Sequence, residues 1–163
     1  MPEDIAVTGV VAAGERFHSR LNATGKTYEY HLIPYGTYDV FARKYAWQMT
    51  EPLDIEAMRE AAGHVLGSHD FRGFCTKAAK KKSTIRTIRL LEIYETKNEI
   101  VIEITGNGFL YNMVRILVGT LVEVGMGLRK ADEIPTILEK KERRYAGETA
   151  PACGLFLKQI YYE

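Results

Sequence analysis

The sequence contains few cysteines and no cysteine motif. Cys75 and Cys153 are the two cysteines among 163 residues, and neither belongs to a Cys-X-X-Cys pair or a Cys/His ligand spacing. This usage is typical of a reduced intracellular protein, and it argues against a disulfide scaffold or a zinc finger. The four histidines share no ligand spacing either. The sequence therefore predicts no metal site.

Long hydrophobic runs and an amino-terminal targeting signal are also missing. The longest apolar stretch is interrupted by Asn112, Arg115 and Glu123. The first stretch, MPEDIAVTGVV, has no basic region followed by an apolar core. Both absences argue against a membrane span or a secretory signal. We therefore expect a soluble, cytoplasmic protein without a membrane partner.

The usual short motifs of nucleotide-dependent and hydrolytic enzymes are absent as well. There is no P-loop, no dinucleotide fingerprint, no His-Glu-X-X-His and no Gly-X-Ser-X-Gly. Gly106 and Gly108 in the segment GNGF resemble a phosphate loop only superficially. We interpret them as the turn from a strand into a helix, where glycine relieves backbone strain.

Net charge is close to zero, with 22 Lys and Arg against 21 Asp and Glu, but the charge is unevenly distributed. One stretch has six basic residues and no acidic residue: Lys77, Lys80, Lys81, Lys82, Arg86 and Arg89. A patch of this density attracts phosphates and makes nucleic-acid binding salt-dependent. An ordinary solvated loop has the same composition, so the stretch alone leaves both interpretations open.

Hydrophobic periodicity predicts an α+β fold. Alternating or β-branched stretches predict strands at residues 5–11, 26–33, 44–48, 85–95, 100–105 and 155–161. Helical spacing predicts helices after Asp54, after Gly108 and at residues 131–140. Residues 68–74 are expected to form a compact turn held by two phenylalanines. We therefore predict a mostly antiparallel β-sheet with helices packed on one face, in a single domain spanning residues 1–163.

Arg115 is the unusual residue of the helix predicted after Gly108, because that helix is apolar on most sides. A guanidinium keeps its charge at ordinary pH and carries five donors, so burying it without a partner is costly. The side chain either lies at the edge of the apolar face and reaches water, or holds an anion at the floor of a site. Residue chemistry alone supports both.

Six segments occur in an order and at distances that resemble a known family. They are PEDIAV, FHSR, KTYEY, GSHDFRGF, GNGFLYNMVRILVGTL and TAPACGLFL. Together they resemble the tRNA pseudouridine synthase A (TruA) family from Pro2 to about Tyr161. The resemblance implies an isomerase that converts uridine to pseudouridine in the tRNA anticodon stem-loop, acting on a flipped-out nucleotide without metal or organic cofactor. It also implies tRNA as a partner and a homodimer in the full-length protein.

The sequence departs from this family at the nucleophile. The family's catalytic aspartate lies in an Arg-Thr-Asp-Ala-Gly type motif on the N-terminal side of PEDIAV. None of the five aspartates has that context, and the Arg86-Thr87 pair is followed by Ile88. We therefore expect the chain to be a C-terminal portion of a synthase that is inactive until an N-terminal portion supplies the aspartate. A non-catalytic RNA-binding module is the alternative.

Site residues carry over from the resemblance position by position. Tyr28 corresponds to the active-site tyrosine that stacks on the target base and assists proton movement. Arg115 corresponds to the arginine that pairs with the catalytic aspartate, and Leu155 to the apolar residue packed against the base. By residue type alone, Tyr28 and Leu155 would be predicted as core residues. The implied contacts to the RNA backbone are Arg20, Lys77, Lys80, Lys81, Lys82 and Arg86.

Overall fold

The computed structural model describes residues 1–76 and 83–162. Their strands are β1 (Ala23–Ile33), β2 (Trp47–Gln48), β3 (Gly67–Asp70), β4 (Ile85–Glu95), β5 (Ile100–Gly106) and β6 (Leu155–Tyr162). The α-helices are α1 (Ile55–Gly63), α2 (Met113–Gly125) and α3 (Glu133–Lys140). Short 3-10 helices span Ala42–Lys44, Phe71–Phe74, Arg143–Tyr145 and Ala152–Gly154. None of the helices in this described part is long and apolar enough to cross a membrane.

The strands form one sheet in which β1 has neighbours on both sides. β5 lies antiparallel to β1 on one side, followed by β4 and then β3. On its other side, β1 pairs antiparallel with β6 and, beyond the start of β6, parallel with β2. The prediction of a mostly antiparallel sheet in an α+β fold is therefore confirmed.

Alternation along the strands separates an apolar face from a polar one, because successive side chains point to opposite sides. On β5, Ile102 and Ile104 are fully buried in the core cluster. Glu103 between them accepts a hydrogen bond from Lys158 of β6 at 2.7 Å, and Lys158 lies 2.8 Å from Glu29 of β1. The Lys158 ammonium holds the pKa of Glu29 below its usual value. The helices thus cover one face, and ion pairs occupy the other.

The α-helices supply about half of the residues of the core cluster. Eleven residues of α2 are buried, including Ile116, Leu117 and Leu121, which explains why this helix is apolar on nearly all sides. α1 begins at Asp54, whose carboxylate accepts the Ala57 N–H at 3.0 Å, as the sequence predicts. Phe71 is among the fully buried side chains of the core, as is Phe74. The expected anchoring of residues 68–74 by two phenylalanines is confirmed.

Three sequence predictions about elements were wrong. Residues 5–11 form no strand, and residues 1–22 are exposed throughout, because alternation alone does not provide a neighbouring strand. Residues 67–70 form β3 against β4, although the sequence predicted only a turn there. α2 starts at Met113 rather than directly after Gly108, because Asn112 takes a left-handed conformation with φ of 60°.

Candidate functional site

One small pocket brings together the three residues carried over from the family resemblance. It lies between β1, the start of α2 and the start of β6, and has a volume of about 110 Å³. Tyr28, Arg115 and Leu155 line it, one from each of these elements. The other lining residues come from the turn and first residues of α2: Phe109, Leu110, Asn112, Met113 and Val114. Residues that are distant in the sequence therefore meet at one concave surface.

Tyr28 is held by its strand and by an aromatic neighbour. On β1 it pairs with Ile104 of β5 and Leu157 of β6, so the backbone is fixed on both sides. The Phe109 ring meets the Tyr28 ring edge to face, with centroids 5.2 Å apart. Partial burial raises the pKa of the Tyr28 phenol above its usual value. The hydroxyl therefore remains a neutral donor or acceptor at physiological pH.

Arg115 is held by neutral groups rather than by a carboxylate. Its Nε donates to the carbonyl oxygen of Ala150 at 2.6 Å, and one terminal nitrogen donates to the side-chain oxygen of Asn112 at 3.5 Å. Among the described residues, no acidic side chain forms an ion pair with it. The guanidinium is therefore oriented beside the pocket while its charge remains available to an anion.

The loop that carries Ala150 is fastened along one side of α2. The Ala150 N–H donates back to the Arg115 carbonyl at 3.1 Å. Further along the helix, the Thr120 hydroxyl accepts the Gly147 N–H at 2.9 Å, and the Glu123 carboxylate accepts the Glu148 N–H at 2.8 Å. These contacts recur at helical spacing, so one edge of α2 determines where the loop and the Ala150 carbonyl lie.

Gly119 allows this close approach of loop and helix. A Cβ added at Gly119 would lie 1.9 Å from the carbonyl oxygen of Glu148, a distance at which the backbone has to move. We expect Gly119→Ala to lower the free energy of unfolding by about 3 kcal/mol, because rigid backbone cannot accept an extra methyl group. Chemical denaturation monitored by circular dichroism measures the effect.

Gly63→Ala is the matched control, because Gly63 ends α1 and nothing lies within 4 Å of an added Cβ there. Alanine favours a helix more than glycine does, so this variant should be neutral or slightly more stable. Equal stability of the two variants would contradict the described contact between Gly119 and the loop.

Leu155 reaches the pocket through the turn that precedes β6. The carbonyl of Pro151 accepts the hydroxyl of the buried Tyr30 at 2.6 Å. Next to it, the Ala150 carbonyl binds Arg115, so two successive carbonyls of this loop are held by side chains of the core. Leu155 then pairs with Tyr30 at the start of β6. This path places the leucine side chain opposite Arg115 and Tyr28.

A second, larger pocket of about 390 Å³ lies on the other side of Phe109. Two predicted RNA-backbone contacts, Arg20 and Arg86, line it together with Lys26. The remaining lining residues are Ala23, Asn107, Gly108 and Phe109. Lys26 was not singled out from the sequence, although it lies two residues before Tyr28 in the same segment. Phe109 was also missed, and it follows directly after the GNG turn.

The structure does not describe the other predicted contacts to the RNA backbone. Lys77, Lys80, Lys81 and Lys82 lie outside the described residues.

No aspartate or glutamate is among the described residues that line the two pockets. The five aspartates lie elsewhere; Asp54, for example, caps α1, and Asp70 accepts the Thr84 hydroxyl at 2.6 Å. Within the described chain, no three His, Cys, Asp or Glu side chains are arranged to hold a metal ion.

The fold is that of an α+β protein. Its candidate site consists of the aromatic and apolar pocket beside Arg115 and of a neighbouring cationic pocket lined by Arg20, Lys26 and Arg86. Comparison with known proteins identifies the group. The family model for tRNA pseudouridine synthase matches residues 61–163. The chain belongs to the tRNA pseudouridine synthase family.

Individual relatives agree with this assignment. The chain is 45% identical over 162 residues to tRNA pseudouridine synthase A 1 of Bacillus cereus, a match that covers 99% of this chain and 66% of the relative. It is 44% identical over 163 residues to tRNA pseudouridine synthase A of Bacillus subtilis, covering 100% of this chain and 66% of the relative. The chain therefore spans just under two thirds of the length of these relatives.

Proposed function

We propose that residues 1–163 form the part of a tRNA pseudouridine synthase that supplies the active-site tyrosine and arginine. The observation that carries this proposal is the pocket in which Tyr28, Arg115 and Leu155 meet without a carboxylate among the lining residues. The reaction isomerises uridine in the tRNA anticodon stem-loop to pseudouridine. The N1 glycosidic bond breaks, the base turns, and a bond forms between the sugar and C5. The proton of C5 then leaves and N1 takes up a proton, so that the product is an isomer of uridine.

Each residue has a role that its geometry supports. The target base, flipped out of the RNA, would stack on the Tyr28 ring and pack against Leu155. The Tyr28 hydroxyl, whose pKa is raised by burial, would stay neutral and would assist movement of the proton as a hydrogen-bond donor and acceptor. Arg115 would pair with the nucleophilic aspartate, since its guanidinium is oriented by Ala150 and has no carboxylate partner among the described residues. We propose that this aspartate comes from a segment outside these residues.

A non-catalytic RNA-binding module is the second candidate. It is favoured by the cationic pocket of Arg20, Lys26 and Arg86, which needs no nucleophile to bind RNA. Turnover after an aspartate-bearing portion is supplied would separate the two candidates. A single domain, a homodimer and a cytoplasmic location remain predictions.

Binding to tRNA tests what the two candidates share. Replacing Lys80, Lys81 and Lys82 together by alanine should weaken binding of a tRNA anticodon stem-loop and flatten its salt dependence. Each lost phosphate contact removes about 0.9 from the slope of log affinity against log salt concentration for duplex RNA. Preference between RNA sequences should hardly change, because phosphate contacts carry no base information. Fluorescence titration at four salt concentrations measures the slope.

The control removes the same charge from exposed positions elsewhere, by replacing Lys97, Lys130 and Lys140 with alanine. An identical slope for wild type and the Lys80–Lys82 variant would mean that these lysines form a solvated loop. Failure of the wild-type chain to bind the stem-loop at all would contradict both candidate functions.

A further inference from the structure

The cationic pocket next to the Tyr28 site has the composition of an anion site. Arg20, Lys26 and Arg86 converge on it from the turn before β1, from β1 itself and from β4. Among the described residues that line it, none is acidic. A cavity lined by three basic residues and by no acidic residue has a positive potential that attracts an anion.

The backbone of Arg20 is held in a hydrogen-bonded turn, although this residue lies outside any helix or strand. The His18 N–H donates to the Asn22 side chain at 2.7 Å, and the His18 ring nitrogen accepts the Arg20 N–H at 3.2 Å. The hydroxyl of Tyr162 at the end of β6 donates to the Ser19 carbonyl at 2.8 Å. The turn is thereby fastened to the sheet beside the pocket, although its residues are exposed.

Arg86 and Asn107 are also oriented before any ligand binds. One terminal nitrogen of Arg86 donates to the carbonyls of Ser83 and Ile85, at 3.0 and 2.6 Å. The Asn107 side-chain oxygen accepts the Thr87 N–H at 3.0 Å, so the amide of this pocket-lining residue is oriented and its NH₂ is the group that can donate to a ligand. Preoriented donors bind an anion with less loss of side-chain entropy.

The two pockets share one wall. Phe109 lines both of them, and its ring contacts Tyr28 at 5.2 Å on the side of the first pocket. A ligand that placed an aromatic base against Tyr28 would therefore present its next charged group to the cationic pocket. A nucleotide in an RNA chain has this combination of a flat base and a neighbouring phosphate.

We propose that Arg20, Lys26 and Arg86 form a clamp for one phosphate of the RNA chain, next to the nucleotide whose base occupies the Tyr28 pocket. This proposal rests on the proposed function and adds a defined subsite to it. Lys26, together with the Asn107 amide, belongs to this clamp. The clamp would hold the flipped nucleotide by its backbone, independently of which base follows.

Salt dependence distinguishes one clamped phosphate from three separate contacts, because the slope counts phosphates rather than cations. The RNA probe is the tRNA anticodon stem-loop. If the three residues share one unpaired phosphate, the Arg20→Ala/Lys26→Ala/Arg86→Ala variant should lose about 0.7 of slope. Three separate phosphates would cost about 2 units of slope and would overturn the clamp. An unchanged slope would overturn it as well.

The matched control is the Lys97→Ala/Lys130→Ala/Lys140→Ala variant, which removes three positive charges from exposed positions, as the clamp variant does, and whose Lys97 lies in the β4–β5 turn. This turn is at the other end of β5, on the order of 20 Å from Gly106 along the strand. The control should bind the stem-loop with the slope of wild type. A loss of slope equal to that of the Arg20→Ala/Lys26→Ala/Arg86→Ala variant would mean that RNA responds only to net charge, which also contradicts the clamp.

Inorganic phosphate tests the site without RNA. In amide NMR spectra of the chain, phosphate should produce saturable shifts at Lys26, Asn107 and Gly108, with affinity at least tenfold weaker in Lys26→Ala and unchanged in Lys97→Ala. Shifts that do not saturate, or that saturate with unchanged affinity in Lys26→Ala, would overturn the clamp even if tRNA binding is intact. Saturable shifts in a chain that fails to bind the stem-loop would instead contradict the proposed function and leave an anion site.

Discussion

The 163-residue chain alone should release no tritium above background from tRNA labelled at uridine C5. The two described pockets contain no carboxylate, and none of the five aspartates lines the Tyr28 pocket. Loss of a nucleophile typically costs a factor of about 10⁴ to 10⁶ in rate. The tritium-release assay follows the proton that leaves C5, so it reports the isomerisation directly.

Supplying the missing nucleophile should restore release. The part of the Bacillus subtilis relative that this chain does not cover can be fused to the amino terminus of residues 1–163. The fusion should be active. Replacing by alanine the aspartate of the Arg-Thr-Asp segment, which the family resemblance implies for the added part, should abolish activity. Release by the pure chain would show that a residue of the chain itself acts as nucleophile. An inactive but folded fusion that binds tRNA would favour the non-catalytic module.

The second large effect is expected for Arg115→Met in the fused, complete enzyme. Methionine keeps the length and apolar stem of the side chain but removes the charge that would pair with the aspartate. Breaking a buried ion pair by removing one partner costs about 3 to 5 kcal/mol. The pKa of the aspartate should rise because its positive neighbour is lost. Activity at neutral pH should therefore fall by a factor of about 100 or more.

In the chain alone the same substitution should have a modest effect. Arg115→Met loses the hydrogen bond to the Ala150 carbonyl, but it also removes a partly buried charge that has no carboxylate partner in the described chain. We expect the unfolding midpoint to change by at most a few degrees, equivalent to about 1 kcal/mol for a domain of this size. Differential scanning calorimetry measures the midpoint.

Arg59→Met provides the control for lost hydrogen bonding. Arg59 lies on α1, and its Nε donates to the backbone carbonyl of Ile93 at 2.9 Å, much as Arg115 binds Ala150. It also pairs with Glu56 on the surface of the helix. This variant should lose comparable stability and retain full activity in the fusion. Equal losses of activity in the two variants would remove the assigned role of Arg115.

Local sequence patterns correctly predicted the strands and helices that are specified by their own residues and immediate neighbours. β4 has the bounds predicted for it, Ile85–Glu95, because its alternation is long and a polar turn follows. The start of α1 at Asp54 follows from a capping carboxylate that acts within one helical turn. β3 could not be predicted in this way, since Gly67–Asp70 becomes a strand only through pairing with β4. Residues 5–11 show the reverse, because they alternate but have no strand beside them.

In the candidate site, too, some residues could be predicted from the sequence and others depend on the tertiary structure. The resemblance to a family singled out Tyr28, Arg115 and Leu155, and the structure brings all three to one pocket. The residues that were missed are those whose position depends on strand register. Lys26 pairs with Gly106 across β1 and β5, and Gly106 pairs with Ile88 across β5 and β4. This register brings Lys26 near Arg86, sixty positions away in the sequence.

The sequence by itself determined the family, the α+β class, the apolar character of α2 and the presence of an arginine within it, because these depend on residue identity and short-range periodicity. The tertiary structure alone decided which groups hold that arginine. Residue chemistry left a water-exposed and an anion-binding Arg115 equally open, and the Ala150 carbonyl settles its orientation. That contact exists because Gly119 lets a loop distant in sequence pack against α2. Long-range contacts of this kind depend on the packing of whole elements, which no local pattern contains.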